Sequence, residues 1–347
     1  MNFSAEQLDQ IDVHFILCTE RTGSSLLALM LNLNDHICCP SEEQFALYLF
    51  KKYGNQSSYS ESEIQQFVDE FYLIAEKNTD LYFSKRNVFR ENLMNHLPIL
   101  NFERLMKLTY LHFYDVKDKS QVKVIIDKQI KYFFHLPEIK SIFPHAKFTV
   151  LIRDVRDNVV SKKNRKLNWL SNPLFLSYLW RDTYKNIQFL KNAYLLVRYE
   201  DFVSSPQKEL ERICNYYSIP FQEKMLATVG VFDQFLDKKQ PDVETKFLEH
   251  LKDFHSGLNS LPSKDKIGQY RSLNHEMLKK INWICRTEFN QFKYENYSNQ
   301  SKPSIIERYF YWILSKCYRK WLLNLYRSIP LIIKLWIKKS RKKINKP

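Results

Sequence analysis

The sequence predicts an α/β fold in which a parallel sheet is flanked by helices. Four short runs are rich in strand-forming residues: Val13–Cys18, Val122–Ile126, Phe148–Ile152 and Tyr194–Val197. Each run is apolar at nearly every position, as expected for strands covered on both faces. Helical patterns lie between the runs, and such alternation of strands and helices is typical of a parallel sheet.

Six segments have the apolar spacing of helices, and several begin next to a Ser or Asp that can cap the first turn. These predicted helices are Ser24–Leu33, Glu61–Lys77, Val155–Lys166, Asn172–Leu190, Ser205–Tyr217 and His275–Phe289. The first of them follows the first strand after only a few residues, which predicts a tight turn between the two.

The charge of the chain is unevenly distributed. The 347 residues carry a formal charge of +15, which points to an anionic partner such as nucleic acid, a membrane surface or a phosphate-bearing ligand. Residues 303–347 contain twelve Lys or Arg residues and one acid, a net charge of +11, whereas residues 1–302 carry only +4. We therefore predict a main domain over 1–302, a basic tail over 303–347, and no nucleic-acid partner.

The N-terminus and the cysteines predict a cytoplasmic protein. The first ten residues lack the basic and apolar regions of a signal peptide, and no run of 18 apolar residues predicts a membrane span. The six cysteines lack CxxC spacing and lie in apolar segments, which predicts reduced, buried thiols. A metal site at His36, Cys38 and Cys39 is disfavoured because adjacent cysteines chelate one ion poorly, so we predict no metal.

The turn after the first strand has the composition of an anion site. Helix N-terminal N–H groups, two hydroxyls and a guanidinium together can hold a phosphate. The residues that supply them are Arg21, Thr22, Gly23, Ser24 and Ser25. The motif GxxxxGK[ST] of nucleoside-triphosphate sites is absent, because the basic residue precedes the glycine. A well-capped strand–turn–helix without a ligand is the competing interpretation.

A second pair of polar residues follows the third predicted strand. Arg153 comes directly after Ile152, and Ser161 lies eight residues later in the next predicted helix. A guanidinium and a hydroxyl so placed can hold one phosphate. The competing interpretation is an ion pair of Arg153 with Asp157 at the start of that helix.

Together these two segments resemble the sulfotransferases that use 3′-phosphoadenosine-5′-phosphosulfate (PAPS), most closely the tyrosylprotein and carbohydrate branches. The resemblance implies a nucleotide-kinase-like sheet, with the residues 21–25 around the 5′-phosphosulfate and Arg153 and Ser161 on the 3′-phosphate. Arg21 is then placed to stabilise the leaving oxygen. Glu20 departs from the family pattern, which often has Pro at that position.

Three weaker features match the family in the same order along about residues 11–295. Asp127 and Lys128 come at the end of the second predicted strand, and the resemblance implies that Lys128 reaches the sulfuryl group. Tyr199 lies in the segment Val197–Val203 after the fourth strand. The segment Lys264–Arg271 resembles a late basic loop that closes over the nucleotide. Its predicted binding residues are Lys264, Lys266 and Arg271.

The acceptor hydroxyl requires a base, and three residues are candidates. Glu42 lies 21 residues after Arg21, where the tyrosylprotein and related branches have their catalytic Glu. His135 lies seven residues after Lys128, although the cytosolic branch has its catalytic His only two residues after that lysine. We predict Glu42 as the base, with Glu43 and His135 as alternatives.

These features predict in-line transfer of a sulfuryl group from PAPS to an acceptor alcohol: a carbohydrate, lipid or sterol. The rival predictions are a phosphotransferase on a similar sheet and a non-enzymatic membrane-binding protein with this fold. Residues between Glu42 and Val122 are rich in Phe, Tyr and Leu, which favours an acceptor with an apolar part. The sequence does not determine the oligomeric state.

The basic tail has the pattern of an amphipathic helix. Apolar residues recur at three- and four-residue steps along one stripe, with cations mostly between them. The stripe consists of Ile306, Phe310, Ile313, Cys317, Trp321 and Leu325. Such helices suit the surface of an anionic membrane, on which they lie without spanning it. The alternative is a helix packed on its own domain with a basic end.

Overall fold

The computed structural model describes residues 1–40, 45–75, 83–113, 118–130, 132–164, 171–237, 248–249, 251–252, 256–295, 300–320 and 333. Within these ranges the chain forms two compact units. Unit 1 comprises the described residues of 1–18, 23–152 and 193–264, and unit 2 those of 19–22, 153–192 and 265–347.

A parallel sheet forms the centre of unit 1. Its strands in the described residues are β1 (Asp12–Leu17), β2 (Ile37–Cys38), β3 (Val124–Gln129), β4 (Phe148–Ile152) and β5 (Leu195–Arg198). They lie in the order β2-β3-β1-β4-β5, and every neighbouring pair is parallel. All residues of β3 and β4 are buried, as the apolar pattern predicts for Val124–Ile126 and for Phe148–Ile152; β3 then continues into three buried polar residues, Asp127, Lys128 and Gln129.

The α-helices of unit 1 in the described residues, in chain order, are α1 (Ala5–Asp9), α2 (Ser24–Asn32), α3 (Phe45–Tyr53), α4 (Glu61–Ala75), α5 (Arg86–Asn95), α6 (Phe102–Leu111), α7 (Leu136–Ile142), α10 (Tyr199–Ser204), α11 (Pro206–Tyr216) and α12 (Val231–Asp237). The helices of unit 2 are α8 (Val155–Asn164), α9 (Pro173–Tyr184), α13 (His275–Gln291) and α14 (Ile305–Lys320).

The predicted fold class is confirmed, and the predicted elements agree closely with those observed. All four predicted strands exist within two or three residues of their predicted bounds, and β2 is an additional strand of two residues. The helix predicted over Asn172–Leu190 instead changes after Tyr184 into a 3₁₀ segment, Lys185–Leu190. Asn186 donates from its side-chain amide to the carbonyls of Asp182 and Thr183, which gives those carbonyls a side-chain partner at this point.

Aromatic residues of α3 to α6 and of the segments next to these helices form a core within unit 1. Phe71 and Phe83 have ring centroids 4.5 Å apart, and Phe83 in turn lies 4.9 Å from Phe89 and 4.9 Å from Phe113. These four rings are at most 2% exposed. These aromatic residues between Glu42 and Val122 therefore pack in the interior and do not form a surface for a ligand.

The cysteines are all free thiols, five of them buried. The prediction of burial is wrong for Cys317, which is exposed. This residue belongs to the apolar stripe of α14, and that stripe faces solvent rather than the other helices of unit 2.

Candidate active site

In unit 2 the structure brings Arg21, Arg153 and Ser161 into one cluster. The Arg21 Nε donates to the Ser161 Oγ at 3.2 Å. Arg153 donates from Nη1 to the Arg21 carbonyl at 3.1 Å and from Nη2 to the Lys266 carbonyl at 2.5 Å. The Arg21 guanidinium beside the Ser161 hydroxyl, with the Arg153 guanidinium against the backbone of the same turn, forms a cationic donor set suited to a phosphate.

The backbone of the turn is constrained at Arg21. This residue lies at φ 65°, in the left-handed region that a residue with a side chain rarely occupies. The surrounding contacts hold it there: the Asn158 amide donates to the Glu20 carbonyl at 2.7 Å, and the Thr22 hydroxyl to the Thr19 carbonyl at 2.8 Å. Backbone strain of this kind is concentrated at ligand-binding loops.

Glu20 departs from the family pattern, and its carboxylate lies near a lysine. Its Oε2 lies 3.9 Å from Nζ of Lys162, which is 6% exposed, whereas the Glu20 side chain is 47% exposed. Burial lowers the pKa of Lys162, while Glu20 acts in the opposite direction and favours its charged form. The negative charge beside the turn is thus opposed by a cation from α8.

Asp157 fixes the late loop rather than pairing with Arg153 through a hydrogen bond. Its two carboxylate oxygens accept from the backbone N–H groups of Gly268 and Tyr270, each at 2.8 Å. Burial raises the pKa of Asp157, and these two hydrogen bonds act against that rise. The loop is therefore anchored to α8 by its backbone.

The side chains predicted from the late loop are not buried. Lys264, Lys266 and Arg271 are exposed, and Lys266 contributes its carbonyl to Arg153. Only the backbone of Lys266 is thus brought to the cluster by this contact, and the nucleotide-binding role of the three side chains stays a prediction.

In unit 1, Gly23 is the N-cap of α2, and there is no space for a side chain at this position. Its φ is 82°, and a Cβ added there would lie 2.7 Å from Cδ2 of Tyr199. Since no side chain caps α2, the N–H groups at Ser24 and Ser25 remain the donors of its first turn. Gly23, Ser24 and Ser25 thus form a helix N-terminus suited to an anion, with the predicted residue Tyr199 against the glycine.

Lys128 is buried in β3, beside a hydrogen-bonded carboxyl group. Its neighbour Asp127 accepts from the hydroxyls of Tyr110 and Tyr132 at 2.6 and 2.7 Å, and from the Gln129 amide at 2.8 Å. Complete burial raises the pKa of Asp127 to about 6, although its hydrogen bonds lower it. Since side chains alternate along a strand, Lys128 faces the opposite side of the sheet from Asp127.

Of the three candidate bases, the structure describes only His135. Glu42 and Glu43 lie outside the described residues. His135 is buried at the N-cap of α7, and its Nδ1 lies 4.0 Å from Oε1 of Glu138. The choice among the three stays a prediction.

No group of three or more His, Cys, Asp or Glu side chains in the described residues is arranged to hold a metal ion. Nor does that part of the chain contain a helix that is both long and apolar enough to cross a membrane.

The family of the chain follows from its sequence. Residues 14–223 match the family model described as "Sulfotransferase family", which covers more than half of the chain. The chain belongs to the sulfotransferase family. The predicted family is thereby confirmed, and the predicted co-substrate, PAPS, is the sulfuryl donor of that family.

Two relatives of the chain show only distant sequence similarity. Two nematode proteins named "Putative protein-tyrosine sulfotransferase" are similar to it. The one from Caenorhabditis elegans is 24% identical over 158 residues, 43% of this chain and 58% of its own. The one from Caenorhabditis briggsae is 27% identical over 99 residues, 26% of this chain and 35% of its own. The similarity therefore spans less than two thirds of either relative.

Solved structures show the same fold. The sulfotransferase domain of the Synechococcus PCC 7002 olefin synthase has a TM-score of 0.52 and 20% identity, covering 82% of this chain and 96% of its own. The sulfotransferase domain from the curacin biosynthetic pathway has a TM-score of 0.51 and 18% identity, covering 82% and 98%. Both comparisons concern the fold alone.

The sequence pattern does not identify Asp157 as a functional residue, and a substitution of Asp157 tests whether it anchors the late loop. We expect Asp157→Asn to weaken binding of adenosine 3′,5′-bisphosphate several-fold, because one of the two backbone hydrogen bonds is lost. Amide hydrogen exchange should become faster at Gly268 and Tyr270. Asp265→Asn, an exposed change in the same loop, is the control and should alter neither quantity. Unchanged exchange at both amides would contradict the anchoring role.

Proposed function

We propose that the protein transfers a sulfuryl group from PAPS to the hydroxyl of an acceptor alcohol. The observation that carries the proposal is the cluster of Arg21, Arg153 and Ser161, whose hydrogen bonds join the two motifs of the family. Two cations and a hydroxyl fit the phosphates of the donor nucleotide, and the N-terminus of α2 fits a further anionic group.

The proposed roles follow the chemistry of in-line transfer. A bond forms between the acceptor oxygen and sulfur, while the bond between sulfur and the bridging oxygen of the 5′-phosphate breaks. Glu42 takes the acceptor proton, and Arg21 stabilises the charge that develops on the bridging oxygen. Lys128 interacts with the sulfuryl oxygens. The bisphosphate that leaves is held by Arg153 and Ser161 through its 3′-phosphate.

The proposed acceptor is a carbohydrate, lipid or sterol alcohol with an apolar part. The aromatic content of α3 to α6 supports this less directly than composition suggests, since many of those rings pack against one another. The nematode relatives are named for protein tyrosine, so a tyrosine phenol is the second acceptor class to test.

We further propose a cytoplasmic location and a catalytic domain over 1–302, with residues 303–347 as a distinct tail.

Ligand binding tests the nucleotide, and sulfate transfer then tests the acceptor. We expect adenosine 3′,5′-bisphosphate to raise the melting temperature of the full chain; a ligand at a hundred times its Kd adds about 2.7 kcal/mol of stability. ATP with Mg²⁺ should have little effect. Stabilisation by ATP with Mg²⁺ but not by the bisphosphate would instead support a phosphotransferase.

The acceptor experiment uses radiolabelled PAPS with pools of glycolipids, sterols, glycans and tyrosine peptides. The proposal expects label in the lipid, sterol or glycan pools. Label in the peptides alone would overturn the acceptor class while leaving the sulfotransferase reaction intact. Binding of the bisphosphate without transfer to any pool would favour a protein that has kept the fold but not the reaction.

A further inference from the structure

One face of α14 packs within unit 2. The Tyr311 hydroxyl accepts from the Asn172 amide at 2.8 Å, and the ring of Tyr318 meets that of Phe175 at 5.7 Å, edge to face. Lys316 forms an ion pair with Asp182 at 3.1 Å. These contacts hold α14 along α9 as a folded helix rather than a loose extension.

The opposite face of α14 is apolar and exposed. Ile306 is 81% exposed, Phe310 57% and Ile313 49%, and Cys317 is exposed as well. These four residues are spaced by four, three and four positions, so they form one stripe along the helix. Tyr309, 58% exposed, widens the stripe. We call these five residues the outer stripe of α14. A contiguous apolar surface of this kind marks an interaction site.

The sequence after α14 indicates what this surface contacts. Residues 321–347 contain eight Lys or Arg residues and no Asp or Glu, together with two of the six tryptophans of the chain. The exposed apolar face of α14 is thus followed in the sequence by a segment rich in cations and tryptophan. Together they complement a surface that carries negative charge on its outside and is apolar beneath. An anionic lipid bilayer has this chemistry.

Other occupants fit less well. Two copies of the chain would bring two segments of net charge +8 together, which is electrostatically unfavourable. Nucleic acid would satisfy the cations but would leave Ile306, Phe310 and Ile313 without an apolar partner. We propose that the outer stripe of α14 binds the surface of an anionic membrane, with the helix lying on the bilayer and not crossing it.

The test measures binding of the full chain to vesicles. Partition onto vesicles of phosphatidylcholine with 30% phosphatidylserine is compared with pure phosphatidylcholine by flotation. We expect strong binding only to the anionic vesicles, weakened by raised salt because the charges are screened. The variant Ile306→Asp with Phe310→Asp should reduce the partition coefficient at least tenfold.

A matched variant controls for the added charge. Phe189→Asp with Val229→Asp changes two exposed apolar residues that are not part of α14, at 53% and 63% exposure, and adds the same charge. It should leave vesicle binding close to that of the parent chain. Melting temperatures of both variants, compared with the parent, verify that each is folded.

Cys317 allows a direct reading of contact with the bilayer. It is the exposed member of the six cysteines, so a thiol-reactive, polarity-sensitive fluorophore attaches to the outer stripe without mutation. We expect its emission to shift to shorter wavelength on anionic vesicles and not on neutral ones.

Three results would overturn the proposal. One is the absence of vesicle binding by the full chain. Another is binding that Ile306→Asp with Phe310→Asp leaves intact. The third is self-association, measured by analytical ultracentrifugation without lipid, that the same variant abolishes while the probe at Cys317 gives no response to vesicles; the stripe would then be a contact between copies.

Discussion

Arg153→Ala is expected to weaken binding of adenosine 3′,5′-bisphosphate roughly 10- to 100-fold, the effect of one lost charge-assisted contact. Arg153 is almost completely buried and donates from its guanidinium to the Arg21 carbonyl, so Arg153→Ala removes the planar fork from an enclosed position. Arg153→Lys keeps the charge but not the fork, and should recover only part of the affinity.

The choice of ligands separates phosphate binding from loop support, because Arg153 also hydrogen-bonds the carbonyls of Arg21 and Lys266. Adenosine 5′-monophosphate lacks the 3′-phosphate, and isothermal titration of both nucleotides gives their affinity ratio. The assignment expects Arg153→Ala to abolish most of the preference for the bisphosphate. An equal loss for both nucleotides would mean that Arg153 acts only by supporting the loop. Arg286→Ala, an exposed arginine of α13, is the control.

The strands could be predicted because burial on both faces leaves a continuous apolar run. Phe148–Ile152 was predicted with its observed bounds. Ile37–Cys38 was missed because two residues carry no periodicity, and this strand is defined only by its pairing with Val124 and Ile125. Pairing between distant segments is a property of the folded chain that local composition does not contain.

The same distinction holds for the candidate site. Arg21, Arg153 and Ser161 were found because each belongs to a local motif at the end of a strand or the start of a helix. The sequence suggests Asp157 only as an ion-pair partner of Arg153, whereas its carboxylate accepts from two backbone groups more than 100 residues away. Neither acceptor pairing involves a side chain of the loop, so no residue type there could have indicated it.

Composition alone does not distinguish a tail helix that packs on its own domain from one that binds a membrane. The structure shows that α14 has one packed and one exposed face: Tyr311 and Tyr318 contact Asn172 and Phe175, whereas Ile306, Phe310 and Ile313 face solvent. The apolar periodicity identified the helix and the exposed stripe. It could not show the contacts of the opposite face, because those depend on Asn172 and Phe175 in a different part of the sequence.

Among Gly→Ala substitutions at the described glycines with positive φ, we expect Gly23→Ala to lower the stability of the fold most. Two costs coincide at Gly23: its φ of 82° disfavours any Cβ, and the added carbon would lie 2.7 and 2.9 Å from two atoms of the Tyr199 ring. The left-handed backbone costs about 1–2 kcal/mol and overpacking about 1–3 kcal/mol. Because Gly23 begins α2, displacement of this turn should also weaken binding of the bisphosphate.

Two other glycines separate these costs. Gly230 has φ 71° but no atom closer than 4.0 Å to an added Cβ, so Gly230→Ala measures the backbone cost alone. Gly257 has neither feature, and Gly257→Ala should leave the melting temperature nearly unchanged. We expect the melting temperature to be highest for Gly257→Ala, lower for Gly230→Ala and lowest for Gly23→Ala.

A double-mutant cycle with Tyr199→Ala isolates the contact with the ring. Removing the ring should lessen the damage from Gly23→Ala by about the overpacking cost, so the two changes together should destabilise less than the sum of their separate effects. Strict additivity would show that Tyr199 yields to the methyl group and that the backbone angle alone makes glycine necessary. In that case the affinity for the bisphosphate would decide whether the turn at Gly23 is needed for binding or only for folding.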